Sequence, residues 1–220
     1  SNGIIEYGYD NLNRLARVTR YDSLNNFLNE ITYGYDWNGN RTSLTVNNGT
    51  TTEITYYAYD ELNRLASVTD PSGGLTEYTS DNVGNRESVT YPNNTMASYT
   101  YDTLNRLTYL ENRNLTTSEI FSSYAYELGL AGNRLAVTEN TGRRIEYSYD
   151  NLYRLTQESI YDDGVTLTEA INYTYDPVGN RLSKIDGGGT VSYIYDANDR
   201  LLNAGGTNFT YAANGNTLSK

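Results

Sequence analysis

The sequence predicts an all-β fold of tandem antiparallel β-hairpins that form one long twisted sheet, curling into a shell, spiral or barrel. Two observations lead to this prediction. A Tyr-x-Tyr-Asp motif recurs about ten times, and large apolar residues alternate with mostly small or polar ones in five of the copies. No segment has the pattern of a covering helix, so the tyrosine face of such a sheet must be buried by curling or closing on itself.

The composition narrows the possible functions before any motif is considered. The chain has 220 residues with 24 Tyr and 19 Gly but no Cys and no His. Disulfide frameworks, cysteine zinc sites and Ser-His-Asp catalysis are therefore excluded. The net charge of −11 argues against a nucleic acid or an anionic membrane surface as partner. The length predicts one domain spanning residues 1–220, in which tyrosine supplements a small number of aliphatic residues.

The repeat motif accounts for most of the tyrosine. Eighteen of the 24 tyrosines occupy its two aromatic positions. The full copies are Tyr7/Tyr9/Asp10, Tyr33/Tyr35/Asp36, Tyr57/Tyr59/Asp60, Tyr99/Tyr101/Asp102, Tyr147/Tyr149/Asp150, Tyr173/Tyr175/Asp176 and Tyr193/Tyr195/Asp196. Three copies are degenerate: Tyr78/Ser80/Asp81, Tyr124/Tyr126/Glu127 and Phe209/Tyr211/Ala212. The second position anchors the ten copies at Tyr9, Tyr35, Tyr59, Ser80, Tyr101, Tyr126, Tyr149, Tyr175, Tyr195 and Tyr211.

The residues around each aspartate have the chemistry of a tight turn. Aspartate at the first position of a type I turn accepts hydrogen bonds from the following amides. Asn or Gly at the fourth position tolerates the positive φ of a bulge that returns the chain to a strand. The fourth-position residues are Asn13, Gly39, Asn63, Gly84, Asn105, Tyr153, Gly179, Asp199 and Gly215. Each copy therefore predicts strand, turn and strand.

The residues before each turn alternate with period two, which indicates a half-buried strand. In Ile31-x-Tyr33-x-Tyr35 and Ile145-x-Tyr147-x-Tyr149 the large side chains lie on one side. Small or polar residues such as Thr32, Gly34 and Ser148 lie between them. The pattern predicts one tyrosine-rich face of the sheet.

The residues just after each turn alternate between two forms. Odd-numbered copies have Arg-Leu, as in Arg14-Leu15, and even-numbered copies have Asn-Arg, as in Asn40-Arg41, until the last copy has Asn216-Thr217. Because a one-residue shift on a strand reverses the face, we expect the two arginines on opposite faces of the sheet. Arginine beside tyrosine rings and carboxylates is also placed to join one hairpin to the next. The arginines assigned to the motif are Arg14, Arg41, Arg64, Arg106, Arg154, Arg181 and Arg200.

These copies resemble the YD-repeat, or RHS-repeat, proteins over nearly the whole chain. Tyr149-Asp150-Asn151-Leu152-Tyr153-Arg154-Leu155 and Tyr175-Asp176-Pro177-Val178-Gly179-Asn180-Arg181 are similar to the family's two alternating forms. The resemblance implies a ribbon of hairpins that spirals into a hollow shell. In bacterial RHS and insecticidal-complex toxins this shell encloses a C-terminal toxin, and in animal teneurins a related barrel is part of an adhesion receptor.

The resemblance predicts a structural role. We expect a non-enzymatic wall segment, secreted or at a bacterial cell surface, that encapsulates or presents an associated polypeptide and uses no cofactor. The family's autoproteolytic core segment and toxin domain are not recognisable in this sequence. The expected partners are an enclosed or adjacent polypeptide or further repeats, and self-association through the sheet edges is open.

Three alternatives remain open at this point. The line of tyrosines resembles a carbohydrate-binding surface, which would suit an extracellular recognition module for a sugar or a cell-surface protein. The repeated carboxylates could perform acid–base chemistry, although their position at turn starts favours capping. Asp162-Asp163-Gly164 and Asp186-Gly187-Gly188-Gly189 could offer oxygen ligands to calcium.

Overall fold

The computed structural model describes residues 3–220, and in that range the chain is all-β without a helix. Each strand pairs antiparallel with its neighbour in sequence wherever a register is assigned, as in β1 with β2 and β16 with β17. The predicted all-β fold of consecutive antiparallel hairpins is confirmed. The chain divides into two compact units: residues up to Tyr99 with Asn112–Glu119, and Thr100–Glu111 with Ile120–Lys220. The prediction of a single domain over residues 1–220 stays a prediction.

The first unit contains a ladder of consecutive strands. They are β1 (Ile4–Tyr9), β2 (Leu15–Tyr21), β3 (Phe27–Tyr35), β4 (Arg41–Asn47), β5 (Thr52–Tyr59), β6 (Leu65–Thr69), β7 (Leu75–Ser80), β8 (Arg86–Thr90) and most of β9 (Thr95–Tyr101). Strand β10 (Leu107–Asn114) contributes residues to both units.

The second unit continues with the same kind of ladder. Its strands are β11 (Ile120–Leu128), β12 (Arg134–Glu139), β13 (Arg144–Tyr149), β14 (Leu155–Tyr161), β15 (Leu167–Tyr175), β16 (Arg181–Asp186), β17 (Gly189–Tyr195), β18 (Leu201–Ala204) and β19 (Thr207–Asn208). Strands β20 (Thr210–Tyr211) and β21 (Thr217–Ser219) form a separate hairpin.

A β-bulge recurs at the same place in the motif hairpins. In β1 and β2, Tyr7 pairs with Val18, but the register shifts so that Tyr9 pairs with Leu15. Equivalent shifts occur before Tyr35 in the β3–β4 hairpin and before Tyr149 in the β13–β14 hairpin. A bulge of this kind re-aims the adjacent side chains and strengthens the local twist. It fixes where each turn's side chains lie relative to the next hairpin.

The tyrosine face is half-buried rather than closed into a core. The buried residues of the described chain are small or aliphatic, among them Val89, Ala97, Ala136, Val137 and Ile160. The tyrosines of strands β3 and β13 are each partly accessible. Tyr7 and Tyr9 lie on the first strand of the ladder and are exposed. Tyrosine thus contributes partly buried area and hydroxyl hydrogen bonds rather than a dry interior.

Candidate functional site

The candidate site is the row of motif turns that join β1 to β2, β3 to β4 and so on, which we call the YD rim. Each turn is held by its first residue. The Asp10 amide donates to the Arg14 carbonyl over 2.9 Å, and the Asn13 amide donates to the Asp10 carbonyl over 3.0 Å. Asp10 Oδ1 accepts from the amides of Leu12 at 2.8 Å and Arg14 at 2.9 Å. The other motif aspartates accept the equivalent amides: Asp36, Asp60, Asp81, Asp102, Asp150, Asp176 and Asp196.

The fourth residue of each turn has the left-handed backbone that the sequence predicted. Asn13 and Asn63 have φ of 59°, and Gly39 has φ of 91°. Tyr153 has the same φ of 59° although tyrosine rarely adopts it. Residue type therefore indicates the left-handed position at Asn and Gly, whereas Tyr153 is located only by its spacing from Asp150.

The second carboxylate oxygen distinguishes the two turn forms. In the Arg form, Arg14 Nε donates to Asp10 Oδ2 over 2.7 Å. In the Asn form, Asn40 Nδ2 donates to Asp36 Oδ2 over 2.9 Å. Arg64, Arg106, Arg154 and Arg200 repeat the first contact, and Asn85 and Asn180 repeat the second. Every one of these aspartates thus has both oxygens occupied by its own turn.

Arginine of the Arg form reaches across to the next turn. Arg14 Nη1 donates to the Asp36 carbonyl oxygen over 3.1 Å, and its guanidinium lies 4.5 Å above the Tyr35 ring. Arg154 does the same with the Asp176 carbonyl at 2.8 Å and the Tyr175 ring at 5.0 Å. Arg64 and Arg106 donate to the carbonyls of Asp81 and Gly129. One side chain therefore closes its own turn and fastens the following one.

Turns of the Asn form contact the next turn along the chain through different atoms. Asn40 Nδ2 also donates to Asn63 Oδ1 of the next turn over 2.8 Å. Asn180 makes the same contact with Asp199 Oδ1 over 2.8 Å. Arg41, one position later in sequence, lies 4.7 Å from the Tyr57 ring of the next hairpin. Successive turns are thus in direct contact in both forms.

Hydroxyl groups of the second tyrosines complete the connection between hairpins. Tyr35 Oη donates to the Leu15 carbonyl over 2.8 Å, back across the preceding hairpin. This carbonyl belongs to the residue at the bulge, where the ladder is disrupted and an acceptor needs another partner. Tyr59, Tyr149, Tyr175, Tyr195 and Tyr211 donate to the carbonyls of Arg41, Arg134, Leu155, Arg181 and Leu201.

The first aromatics of the motif lie inside the strands, opposite a cross-strand partner. Tyr7 pairs with Val18, Tyr33 with Leu44 and Tyr57 with Val68. Tyr147 and Tyr173 instead pair with Glu158 and Lys184, and Tyr193 pairs with Ala204. Tyr99 lies in β9, and Tyr101 ends that strand.

Glu158 also accepts a hydrogen bond from Tyr173 Oη over 2.6 Å. Partial burial and this hydrogen bond raise the pKa of Tyr173 to about 12. The phenol therefore stays neutral and donates to the carboxylate at physiological pH.

The two arginine registers are not on opposite faces, and this expectation was wrong. Arg14 stacks on Tyr35 and Arg41 stacks on Tyr57, and both rings belong to the tyrosine face. Arg14 lies in the turn rather than in a strand, so strand alternation does not apply to it. The one-residue shift selects which tyrosine ring of the next hairpin the arginine contacts.

The sixth copy is also displaced from the predicted anchor. The bulge falls at Leu128, which pairs with Arg134, and Gly129 occupies the position of the turn aspartate. Tyr126 therefore takes the first aromatic position, opposite Val137. The match to Tyr-x-Tyr misplaced this copy by two residues. The later Asn133-Arg134 pair carries the correct signal.

Sequence reasoning missed the turns of the opposite rim. Asp22 accepts the amides of Leu24 and Asn26 through Oδ1, and Asn25 has φ of 62°. Asp70 accepts the amides of Ser72 and Gly74 in the same way. The signal was present in Asp22-Ser-Leu-Asn25, which follows Tyr21, and in Asp70-Pro-Ser-Gly73, but neither aspartate follows a complete Tyr-x-Tyr.

Hydrogen bonds hold the turn carboxylates in the charged form. The Arg14 amide lowers the pKa of Asp10 against the opposing effect of partial burial. The Arg106 side chain lowers the pKa of Asp102. Partial burial would raise the pKa of Asp36, but hydrogen bonds from Asn40 outweigh it. A charged carboxylate whose oxygens are occupied is suited to fixing a turn rather than to donating a proton.

The loops considered for calcium use their oxygens internally. Asp163 accepts from the amides of Val165 and Thr166, and these hydrogen bonds lower its pKa to about 2. Asp186 accepts from Lys184 over 2.7 Å and from the Gly188 amide. Within residues 3–220, no three His, Cys, Asp or Glu side chains are grouped as a metal site would require. In the same range no helix is long and apolar enough to cross a membrane.

Comparisons with known proteins agree with this geometry. The RHS repeat family model matches residues 59–96, and the teneurin YD-shell family model matches residues 124–220. No curated protein matches the chain in sequence.

Solved structures similar to this chain include TcdB2–TccC3 and a Tc holotoxin pore. The crystal structure of TcdB2–TccC3 has a TM-score of 0.54 at 13% identity, covering 99% of this chain and 18% of that one. The same complex without the hypervariable C-terminal region has a TM-score of 0.54 at 13% identity, covering 99% and 17%. The Photorhabdus luminescens Tc holotoxin pore has a TM-score of 0.51 at 13% identity, covering 98% and 16%.

This chain therefore spans less than a fifth of those structures' chains, and at this identity the likeness concerns the fold. The repeated turns, their alternating Arg and Asn forms and the two family matches all describe the same unit. The chain is an RHS/YD-repeat protein.

Proposed function

We propose that this chain is a non-enzymatic wall segment of a hollow β shell that encloses or presents an associated polypeptide. The observation that supports it best is the continuity of the rim contacts. Arginine, asparagine and tyrosine side chains each fasten one turn to its neighbour, as in Arg154 to Asp176 and Tyr175 to Leu155. A ribbon connected in this way resists opening at any single hairpin, as a wall requires.

The comparisons support the same role at the level of the fold. One matching family is described as a YD-shell, and the similar structures include a Tc holotoxin pore and TcdB2–TccC3. The enclosed polypeptide, a secreted or cell-surface location and a bacterial source are parts of our proposal for this chain. We also propose that residues 1–220 form a single domain and that the Tyr, Asp and Arg residues of the motif are its structural elements.

Carbohydrate recognition, the alternative function indicated by the sequence, is less compatible with the way in which arginine covers the tyrosine rings. Guanidinium groups cover Tyr35, Tyr57, Tyr175 and Tyr193 at 4.4 to 5.0 Å from the ring centroid. A ring face occupied by arginine is not free to stack on a sugar. The exposed rings of Tyr7 and Tyr9 are the places where such binding would be tested.

Electron cryomicroscopy of the complete gene product tests the wall proposal. We expect a hollow body whose wall contains these hairpins and whose interior holds density for another polypeptide segment. A solid or extended particle without enclosed density would overturn it. The matched variant Arg64→Ala should expose that segment to limited proteolysis, whereas Leu24→Ala on the opposite rim should not. Glycan binding that is lost in Tyr9→Ala would favour the recognition module instead.

A further inference from the structure

The YD rim of the first unit displays a row of exposed apolar side chains. The third residue of each turn, or the second in the β3–β4 turn, points into solvent. The exposed fractions are 65% for Leu12, 99% for Trp37, 69% for Leu62 and 71% for Val83. Trp37 is the only tryptophan of the chain, and a fully exposed tryptophan is unusual unless it contacts a partner. The second unit has a similar row of Leu104, Leu130, Leu152 and Val178.

The opposite rim of the first unit lacks such a row. Its turns carry Asn48-Gly49-Thr50, Pro71-Ser72-Gly73 and Pro92-Asn93-Asn94. Leu24 is 80% exposed, whereas Tyr91 and Leu115 are each 41% exposed, well below the values on the YD rim. Exposed apolar residues scattered singly need no explanation, whereas a row confined to one rim marks an interaction surface.

The net negative charge of the chain is also almost absent from this rim. The ten turn segments of the YD rim, from residues 10–15 to 212–217, contain ten acidic and nine basic residues. Their net charge is −1, out of −11 for the chain. In the first unit, Arg14 and Arg64 also pair directly with Asp10 and Asp60. Two copies of this chain can therefore approach through this rim without the repulsion that the remaining surface would cause.

The spacing of the row specifies what fits it. Neighbouring YD turns are separated by two strands, which is about 9.5 Å at the usual strand spacing. They touch directly through Asn38 and Asn63, so the row is continuous. Apolar side chains on one face of an extended strand recur about every 6.7 Å, and those on one face of a helix about every 5.4 Å. Another ladder of the same hairpins repeats its apolar side chains at the pitch of this rim.

A notch between two of these side chains provides the receiving site. Leu12 and Trp37 form its walls, and Arg14, Tyr35 and Asp36 line it as well. Its volume of about 280 Å³ accommodates a leucine-sized side chain. Because the apolar tips and this notch lie on the same row, two copies related by a two-fold axis can each place a tip in the other's notch.

We propose that the YD rim of the first unit is an interface that binds the same rim of a second copy of this chain. Trp37 and Leu62 are its apolar anchors, and the notch beside Trp37 receives an apolar tip from the partner. The small contact area predicts a weak, reversible dimer rather than an obligate one. This inference rests on the exposure, charge and pitch of the rim and does not depend on what a shell would enclose.

Sedimentation of the 220-residue chain over a range of concentrations tests the proposal. We expect the mass to rise from 24.7 kDa towards twice that value as concentration increases. Trp37→Ser should weaken association about tenfold or more, since an exposed anchor loses its burial in the dimer. The matched control Leu24→Ser removes an equally exposed side chain from the opposite rim and should associate like the parent. Circular dichroism establishes that both variants remain folded.

Cysteine cross-linking locates the interface independently, because the chain contains no cysteine. Under mild oxidation Leu62→Cys should form a covalent dimer, and Leu24→Cys should not. A chain that stays monomeric at all concentrations would overturn the proposal and leave the rim to an unrelated partner. Equal cross-linking of the two variants, or unchanged association in Trp37→Ser, would also overturn it.

Discussion

Replacing Tyr153 with asparagine should stabilise the second unit, because Tyr153 is a bulky residue held at positive φ. The equivalent positions Asn13 and Asn63 share its φ of 59°. The left-handed conformation costs an ordinary L-residue roughly 1–2 kcal/mol, and asparagine tolerates it better. Tyr153 is 63% exposed, so the substitution removes little buried area. We expect a gain of about 0.5–1 kcal/mol, or roughly 1–4 °C in melting temperature for a chain of this size.

Two further variants separate backbone strain from other effects. Tyr153→Gly removes the strain but increases the entropy of the unfolded chain by about 0.5–1 kcal/mol, so it should be close to neutral. Asn13→Tyr introduces the same strain into an equivalent turn and should destabilise by a similar amount. Urea and thermal unfolding followed by circular dichroism measure all three. An unstabilised Tyr153→Asn together with a neutral Asn13→Tyr would refute the reasoning.

Three other predictions address the connecting contacts and the titrating groups. Arg154→Lys should lower stability by about 1–2 kcal/mol in urea unfolding, because lysine cannot contact Asp150 and the Asp176 carbonyl together. The turn aspartates have lowered pKa values in the folded state. The stability that they contribute is therefore complete above about pH 4 and is lost as the pH falls through those lowered values. Melting temperatures measured from pH 7 to pH 2 should fall only at the acid end. Partial burial and the hydrogen bond to Glu158 raise the pKa of Tyr173 to about 12. The stability that the neutral phenol contributes should therefore be lost as the pH rises from about 10 to 12. Tyr173→Phe should remove the last phase of tyrosine ionisation in an ultraviolet absorbance titration.

The sequence was sufficient for the strands and turns because these depend on local chemistry. Period-two alternation placed the strands, and the Asp and Asn or Gly spacing placed turns such as Asp10 to Asn13. It failed where two local signals competed. In the sixth copy the aromatic spacing indicated Tyr126, whereas the glycine turn that the chain forms places the bulge at Leu128.

The contacts between hairpins were harder to predict than the hairpins themselves. Arginine beside tyrosine indicated stacking, but the acceptors of Arg14 and Tyr35 are backbone carbonyls. Carbonyls carry no sequence signal, and these two are accessible only because the bulge and turn direct them towards the next hairpin. The row of exposed apolar side chains on the YD rim was equally hard to predict, because Leu12 and Trp37 resemble ordinary loop residues in the sequence.

The residue at the second aromatic position of each copy correlates with the ring on which the Asn-form arginine stacks. Where that position is Tyr35 or Tyr175, Arg41 and Arg181 stack on the first tyrosine of the next hairpin, at 4.7 and 4.4 Å.

Where the position is Ser80 or Leu128, Arg86 and Arg134 turn back onto Tyr78 and Tyr126 of their own hairpin, at 4.4 and 4.6 Å. Arg181 also lies 5.7 Å from the Tyr173 ring of its own hairpin, so a second tyrosine accompanies a nearer forward contact without excluding the backward one. In the full copies tyrosine and arginine together connect the hairpins, and a copy without the second tyrosine lacks its hydroxyl contact. This coupling gives a physical reason for the pair to recur along the chain.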